Sequence, residues 1–383
     1  MTLFLRVLVV LSAALSVTAC TTDHGCSLNG VCHHDRCVCD PGWIGTDCGV
    51  LDLREAKPSS GYNLTGSGTS SWCSHIVQDP RNDRLFHLIA SEFIHGCGLS
   101  DWIPYSRIIR AESTTGPQGP YTFAAEVVGT FAHNPTVIYS PADKLYLLYH
   151  IGCPHAVPSG CNGTGFSCGT GYGSPVSGIT VNSSPDLKAW TSHGKIMNGA
   201  GSSAWDSVVT NPSAFALYSD SDHTSEIILA YRGKSNGGNS SNEHNAITSA
   251  SSYEGTYPPA SGPLFPSADE DPFIWRDKRG NFHMLMHALG EAPYVGRHAF
   301  ATSWNGTWTY GSTVSYTTAV KFTNGKTISY SRRERPQLYF STDGKMTPLF
   351  MANGVQEVNA TDSYSIIVPI GRGAADYEKS LGF

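Results

Sequence analysis

The sequence predicts an all-β protein, with a small disulfide-rich module followed by a five-bladed β-propeller. Charged residues make up only 15% of the 383 residues, whereas Gly (40), Tyr (18) and Trp (8) are plentiful, as is typical of all-β proteins. Cysteines crowd near the start, and a strand–turn–strand pattern recurs through the rest of the chain. The net charge is −6 without a basic patch, which argues against nucleic acid as a partner.

Residues 1–19 have the pattern of a signal peptide. Arg6 precedes an apolar run from Val7 to Leu15, and small residues follow up to Ala19. The run is too short to span a bilayer, and no later segment is long enough. The sequence therefore predicts a secreted, extracellular protein without a transmembrane segment. Six glycosylation sequons fit that route: Asn63, Asn162, Asn182, Asn239, Asn305 and Asn359.

Residues 20–48 form the disulfide-rich module. It contains Cys20, Cys26, Cys32, Cys37, Cys39 and Cys48. A segment this small cannot bury a core, so disulfides must hold it, although spacing alone leaves many connectivities open. The stretch from Cys37 to Cys48 resembles an EGF-like module. That resemblance implies the pairs Cys20–Cys32, Cys26–Cys37 and Cys39–Cys48, no bound calcium, and a role in adhesion, spacing or contact with a protein or cell surface.

Five further cysteines lie beyond the module, so at least one is unpaired within the chain. Cys153, Cys161 and Cys168 share a Gly-rich loop that we expect to carry one bridge. Cys73 and Cys97 are candidates for a second bridge. We expect these cysteines to be structural.

A Ser/Gly-rich linker, residues 49–71, leads into the propeller, residues 72–370, and a tail of residues 371–383 follows. Hairpin patterns occupy residues 133–149, 270–286 and 334–350, with looser copies at 211–231 and 74–89. Pro135, Pro212, Pro272 and Pro336 recur at the long end of a blade repeat. Five hairpins predict five blades. A six-bladed propeller is the alternative, and a two-sheet sandwich fits the regular repeat poorly.

A second element follows four of the hairpins, as in Ile247–Ser251 with the turn to Tyr257. It reads as a strand, a turn and an aromatic residue that begins another strand, which predicts four strands per blade. The fifth blade is expected to be completed from the linker side or by residues 363–369.

Strands that open with Asp-Pro or Glu-x-Pro, together with the run Ser184-Pro-Asp-Leu-Lys-Ala-Trp190, resemble the family 43 glycoside hydrolases from Trp72 to Val368. The resemblance implies a carbohydrate substrate, no cofactor or metal, and inverting hydrolysis by strand-opening acids. In that family one Asp is the base, one Asp tunes pKa values and one Glu is the acid, each from a different blade.

Only two blades of this sequence keep the family's acids. At the family's Asp position, just before Pro, the blades carry Ser74, Asn134, Asn211, Asp271 and Arg335. At its Glu position, one residue earlier, they carry Cys73, His133, Thr210, Glu270 and Glu334. The first blade therefore has Ser74 where the family's base stands.

Asp271 is the predicted general base and Glu334 the predicted acid. Glu270 is an alternate acid, and strand alternation predicts that Asp271 beside it faces away. The same alternation lets the arginines near Glu334 avoid its carboxylate. The alternative for Asp271 is a turn residue that caps backbone N–H groups, and for Glu334 a structural ion pair.

Further polar and aromatic residues are predicted to bind the substrate. They are His75, His133, Asn134, Asn211, Asp206, Arg232, Arg335 and Trp72. His133 is also a candidate acid, since imidazole titrates near neutrality, and Trp102 is a further stacking candidate. A zinc site at residues 95–97 and 150–153 matches no ligand spacing, and His283 with His287 on one strand forms no ligand pair.

Two main functions remain open on the sequence. Glu270, Asp271 and Glu334 favour a glycoside hydrolase that acts on a polysaccharide or oligosaccharide. The missing acid of the first blade favours a propeller that binds glycans without cleaving them. A third possibility, a structural adhesion protein, depends on the EGF-like module alone.

Overall fold

The structure is a computed structural model that describes residues 20–163, 168, 176–219, 221, 225–290 and 295–383. The predicted signal peptide lies outside the described residues. Within them, no helix is long and apolar enough to cross a membrane.

The N-terminal module consists of two small hairpins held by disulfides. Its strands are β1 (Gly30–His33), β2 (Arg36–Cys39), β3 (Trp43–Ile44) and β4 (Val50–Leu51), after a 3-10 turn at Asp23–Cys26. The bridges are Cys20–Cys32, Cys26–Cys37 and Cys39–Cys48. The pairing implied by the EGF resemblance is therefore confirmed.

Five antiparallel sheets follow the module. Blade 1 contains β5 (Ser71–Asp79), β6 (Asn82–Phe93), β7 (Ser106–Ser113) and β8 (Thr122–Val128). Blade 2 contains β9 (Ala132–Ser140), β10 (Leu145–Gly152), β11 (Ile179–Ser184) and β12 (Thr191–Met197). Blade 3 contains β13 (Val208–Tyr218), β14 (Ser225–Lys234) and β15 (Glu243–Ala250).

Two more blades complete the ring. Blade 4 contains β16 (Asp269–Arg276), β17 (Phe282–Ala288), β18 (Gly296–Ala301) and β19 (Thr309–Tyr316). A small hairpin, β20 (Ala319–Lys321) and β21 (Thr327–Ser329), precedes blade 5. Blade 5 contains β22 (Arg332–Phe340), β23 (Pro348–Gln356) and β24 (Tyr364–Pro369). The first strands contact one another in the cyclic order β5, β9, β13, β16 and β22, so the five-bladed propeller is confirmed.

Short helical segments connect and cover the blades. They are α1 (Trp102–Tyr105), α2 (Gly373–Ser380) and the 3-10 turns Thr65–Ser67, Ile94–Gly96, Leu99–Asp101 and Ser240–Asn242. In the C-terminal tail, the buried Ala374 of α2 and the partly buried Phe383 pack against the core that blades 1 and 5 share.

The prediction of four strands in every blade is wrong for blades 3 and 5, which have three strands each among the described residues. Tyr257 was expected to begin a fourth strand but is instead buried against the core of blades 2 and 3. Pro258, Pro259 and Pro263 follow it, and proline has no N–H to give to a strand ladder.

The ring is completed from both ends of the chain. The strand β24 is the third strand of blade 5, and the linker then adds a bridge in which Tyr62 exchanges backbone hydrogen bonds with Ser365. Both routes expected for the fifth blade are therefore used together.

The remaining cysteines pair as Cys97–Cys161 and Cys153–Cys168, and Cys73 is free and buried. The expectation of an unpaired cysteine is confirmed, and the suggested Cys73–Cys97 pair is wrong. Cys73 instead lies on the propeller axis, where its Sγ donates to the carbonyl of Pro135 at 3.5 Å.

Candidate active site

A backbone bulge interrupts the first strand of every blade. The bulged residues have positive φ angles and are Cys73 (43°), Asn134 (56°), Asn211 (53°), Asp271 (60°) and Arg335 (58°). At each one the pairing with the second strand shifts register. In blades 2 to 5 a proline follows, which cannot donate to the ladder. Such bulges redirect a side chain, and here they bring five polar side chains toward the axis.

The bulge corrects the alignment of the first blade. Trp72 pairs with Ser91 and Ser74 pairs with Ala90, so Cys73 is the extra residue. Cys73 therefore stands at the position assigned to Ser74, and Trp72 stands at the preceding position. The prediction of Ser74 at this position was therefore wrong by one residue, because no proline marks the bulge in this blade.

The bulged side chains are linked along the floor of the site. The side-chain amides of Asn134 and Asn211 contact each other at 3.0 Å, and Asn211 Nδ2 donates to Asp271 Oδ1 at 3.0 Å. Arg335 Nη1 lies 2.5 Å from the same Asp271 oxygen. The Asp271 side chain is fully buried, so it forms part of the floor rather than the wall.

A cavity of about 410 Å³ opens above this floor. Its polar lining includes Glu270 and Glu334, the residues just before two of the bulges, and His287 of β17, which pairs with Glu270 in blade 4. The other lining residues are Trp72, Leu99, Ser100, Trp102, His133, Asn211, Arg232, Glu243, Leu289, Arg332, Arg335 and Gln356.

Glu270 is held as a carboxylate by its neighbours. Its Oε1 lies 3.5 Å from His287 Nδ1 and its Oε2 lies 3.3 Å from Arg232 Nη1. Burial alone would raise the pKa of Glu270, but His287, Arg232 and Arg335 lower it below the ordinary range. In turn, the surrounding acids outweigh burial and raise the pKa of His287 to about 9. At neutral pH the two residues form an ion pair.

Asp271 behaves differently from Glu270 because it is farther from solvent. Burial raises the pKa of Asp271 to about 7, and the charges of Glu270 and Glu334 add to that rise while Arg335 opposes it. The predicted base is thus a floor carboxyl whose charge is stabilised chiefly by Arg335.

Three carboxylates converge in spite of the expected alternation. One oxygen from each of Glu270, Asp271 and Glu334 and one ring nitrogen of His287 all lie within 4.8 Å of one another. The bulge turns Asp271 to the same side as Glu270, so the expectation that it faces away is wrong. Oxygen and imidazole donors of this kind can hold a cation, but Arg335 already supplies positive charge at the cluster.

Glu334 also contacts an arginine. Arg332 Nη1 lies 3.1 Å from Glu334 Oε1, because residues two apart on a strand share a face. The expectation concerned the adjacent arginines, Arg333 and Arg335, and the observed ion pair is instead with Arg332, two residues away. Arg332 itself is half exposed, so this ion pair is open to solvent on one side.

The side of the cavity formed by blades 1 and 2 is neutral and aromatic. Trp102 stacks on His133 with ring centroids 4.7 Å apart, and Trp72 lines the same side. Burial and the charge of Arg335 hold the pKa of His133 well below its ordinary value, so its ring is neutral at physiological pH.

Two predicted binding residues lie away from the cavity. His75 is on the axis below the bulges, with Nδ1 2.9 Å from Gln337 Oε1. Asp206 is buried behind blade 3, where it accepts a hydrogen bond from the Tyr231 hydroxyl at 2.8 Å. Neither lines the cavity.

Sequence reasoning missed His287 and Glu243. His287 was judged only as a partner of His283 along one strand, whereas it pairs with Glu270 across two strands. Glu243 opens β15 and lies 2.8 Å from Arg232 Nη1. For His287 the sequence did contain a signal. In a β-hairpin the end of the second strand lies beside the start of the first, so His287 could have been expected to pair with Glu270.

The sequons differ in accessibility. Asn182 lies within β11 and is only 3% exposed, so a glycan on it does not fit the folded blade, contrary to its inclusion among the glycosylation sites. The other five asparagines, Asn63, Asn162, Asn239, Asn305 and Asn359, are exposed.

The propeller is similar in fold to solved glycoside hydrolases. The catalytic domain of a Coprinopsis cinerea family 62 α-L-arabinofuranosidase is 13% identical, with a TM-score of 0.55, and the match covers 83% of this chain and 97% of that one. Zg3597, a family 117 glycoside hydrolase of Zobellia galactanivorans, is 13% identical with a TM-score of 0.55, covering 87% and 91%. A thermostable family 43 glycoside hydrolase is 13% identical with a TM-score of 0.51, covering 82% and 92%.

The N-terminal module has its own match. Residues 22–50 fit the sequence family described as the Teneurin-like EGF domain. Among curated proteins, none matches this chain significantly. The chain therefore combines an EGF-like module with a propeller of the fold found in glycoside hydrolases of families 43, 62 and 117.

Proposed function

We propose that this protein is a glycoside hydrolase that acts on a polysaccharide or oligosaccharide in the central cavity. The observation that carries the proposal is the pair Glu270 and Glu334, which line a 410 Å³ cavity together with Trp72 and Trp102. Carboxylate pairs cleave glycosidic bonds, and aromatic faces suit the apolar faces of sugar rings.

The environments of the two glutamates suggest separate roles. Glu270, ion-paired with His287 and Arg232, stays ionised and is suited to activate water or stabilise positive charge on the sugar. Glu334 has one solvent-facing ion pair, with Arg332, and is suited to deliver the proton to the leaving oxygen. Asp271, the base expected from the sequence, would instead hold Arg335 in place through their ion pair. Through its own charge it would also influence the pKa values of Glu270 and Glu334.

Inversion is the outcome that the family resemblance implies. It needs carboxyl groups about 6.5–9.5 Å apart, so that water fits between them. The nearest oxygens of Glu270 and Glu334 lie within 4.8 Å, so inversion would require a bound sugar to move the two side chains apart. Proton NMR of the first product formed gives the anomeric configuration, and a retained configuration would contradict inversion.

Glycan binding without cleavage is the second candidate. Cys73 occupies the bulge of the first blade, where the resemblance places the base, and burial raises the pKa of its thiol to about 12. A neutral, buried thiol cannot activate water, so this blade contributes no base.

A substrate panel tests both candidates. Wild type, Glu270→Gln and Glu334→Gln are assayed on aryl glycosides and polysaccharides, with Asp362→Asn as a control outside the cavity lining. We expect hydrolysis of at least one substrate, and a fall of about 10²–10⁴-fold in both glutamine variants. Absence of hydrolysis by folded protein that still binds glycans on an array would reject the enzyme in favour of the binding candidate.

We further propose that the protein is exported and glycosylated. The support is the pattern of residues 1–19, the disulfides, and the exposed sequons. Mass spectrometry of protein secreted from a eukaryotic host should show an N-terminus near Cys20, glycans at some of the exposed sequons, and none at Asn182.

A further inference from the structure

The EGF-like module is docked on the propeller rather than held at a distance. Its Trp43 is buried against blade 4, with ring centroids 6.4 Å from Trp275 and 5.0 Å from His298. At the rim, Arg279 of blade 4 lies 2.5 Å from Asp40 of the module. A module that served only as a spacer would not bury a tryptophan side chain against the propeller. The EGF-like module and blade 4 therefore share a packed interface.

A chain of hydrogen-bonding groups crosses this interface. Asn29 Nδ2 of the module lies 3.4 Å from His298 Nδ1, and it also donates to the Cys48 carbonyl at 3.3 Å. His298 Nε2 lies 3.0 Å from His283 Nδ1. His283 Nε2 lies 3.4 Å from Asp277 Oδ2.

The donors and acceptors of this chain fix its protonation. The Asn29 Nδ2 group is a donor, so His298 Nδ1 must accept its hydrogen bond. His298 therefore carries its proton on Nε2, and this N–H donates a hydrogen bond to His283 Nδ1. His283 in turn holds its proton on Nε2, toward Asp277. Both rings are neutral in this arrangement, and an added proton on either ring would place two donors face to face.

We propose that this histidine pair makes docking of the EGF-like module dependent on pH, so that mild acid releases the module from blade 4. Protonation of His298 breaks its contact with Asn29, and protonation of His283 breaks the bond between the rings. Release would expose Trp43 and the aromatic surface around Trp275.

The surrounding charges do not cancel this effect. Asp277 faces His283, and Asp40 lies farther off, where Arg279 and Lys278 already pair with it. His24 of the module approaches through Phe300 and Thr309 and adds positive charge in acid. Both histidine rings are almost fully buried, and that burial lowers the pKa of each ring below its ordinary value.

The sign of the effect follows from these directions. Neutral buried histidines bind fewer protons in the docked state than in the released state. Docking is therefore fully stable above a pH of about 6.5 and weakens as the pH falls. A comparison of pH 7.5 with pH 5.5 lies above the ordinary titration range of carboxyl groups. Asp271, whose pKa is raised to about 7, contacts Asn211 and Arg335 in the floor of the cavity and not the EGF-like module.

Hydrogen exchange of the full chain, followed by mass spectrometry and corrected for the intrinsic pH dependence of exchange, tests the proposal. Peptides of residues 20–50 should exchange at least about tenfold faster at pH 5.5 than at pH 7.5, while β13 and β14 of blade 3, which contain no histidine, stay unchanged. Equal protection of the module at both pH values would overturn the proposal.

A pair of variants separates the histidine pair from a general loss of stability. Asn29→Asp replaces a donor with an acceptor beside His298 Nδ1, so it should reverse the trend and protect the module better at pH 5.5 than at pH 7.5. His33→Gln changes an exposed histidine of the module and should behave as the wild type. A wild-type trend in Asn29→Asp would show that other groups cause the release.

Discussion

Blades 4 and 5 bring Glu270 and Glu334 to the central cavity with Asp271 buried beside them, whereas blades 1 and 2 bring Trp72 and His133 with Cys73 buried beside them. The backbone is the same on both sides, since each blade carries one bulged residue with positive φ. Only the side chains differ, so one half of the cavity is charged and the other is neutral. The comparison shows that the bulge of each blade determines where a side chain points. The residue type found there determines, blade by blade, whether that side chain is charged or neutral.

The largest expected effect comes from removing Arg335, the arginine that pairs with the buried Asp271 in the charged half of the cavity. Arg335→Met leaves Asp271 buried without its ion-pair partner, which we expect to lower the free energy of unfolding by about 3–5 kcal/mol. Denaturant unfolding measures the loss. Arg332→Met is the matched control, because its half-exposed pair with Glu334 should be worth only about 0–1 kcal/mol. Equal losses of unfolding free energy in the two variants would contradict the view that the buried Arg335–Asp271 pair matters more than the half-exposed Arg332–Glu334 pair.

The next effect is a dependence of stability on pH. Because the pKa of His287 is raised to about 9, its contribution is fully present below a pH of about 6.5 and is lost as the pH rises through 9. The loss from His287 should be roughly 3 kcal/mol in the wild type, and His287→Gln should reduce the pH dependence by about that amount.

Unfolding at a series of pH values from 6 to 10 is the measurement for His287. His244→Gln, which changes a histidine outside the cavity lining, should keep the wild-type slope. A slope as steep in His287→Gln as in the wild type would show that the ion pair with Glu270 is not its source, since the buried Asp269 and Asp271, whose pKa values are raised to about 8 and about 7, account only for the part that remains.

The smallest effect belongs to the neutral half. The Cys73 thiol is buried and its pKa is raised to about 12, so it should not react with a thiol reagent in the folded protein. Thiol titration should count no reactive group in native protein and one after unfolding without reduction. Cys73→Ser should change stability by only about 1 kcal/mol. Fast labelling of native protein would place this thiol at a reactive surface instead.

Much of the fold could be predicted from the sequence because its signals are local. Hairpins are encoded by apolar runs around polar turns, and the prolines at 135, 212, 272 and 336 mark the bulges within four blades. The cysteine pattern of residues 20–48 sufficed for the EGF-like module. Prediction failed where a local signal was missing, as in the first blade, where no proline marks Cys73, and after Tyr257, where prolines stop a strand.

The candidate site depended on contacts that no local pattern contains. The sequence by itself determined which residue types open the strands, and so named Glu270, Asp271 and Glu334. Only the tertiary structure decided that these three carboxylates converge, that His287 joins them, and that Asp206 and His75 do not. The physical reason is that bulges override strand alternation and that ring closure joins strands from different blades. In the same way, only the tertiary structure shows that Trp43 of the EGF-like module is an interface residue, because its contacts with Trp275 and His298 join segments far apart in the sequence.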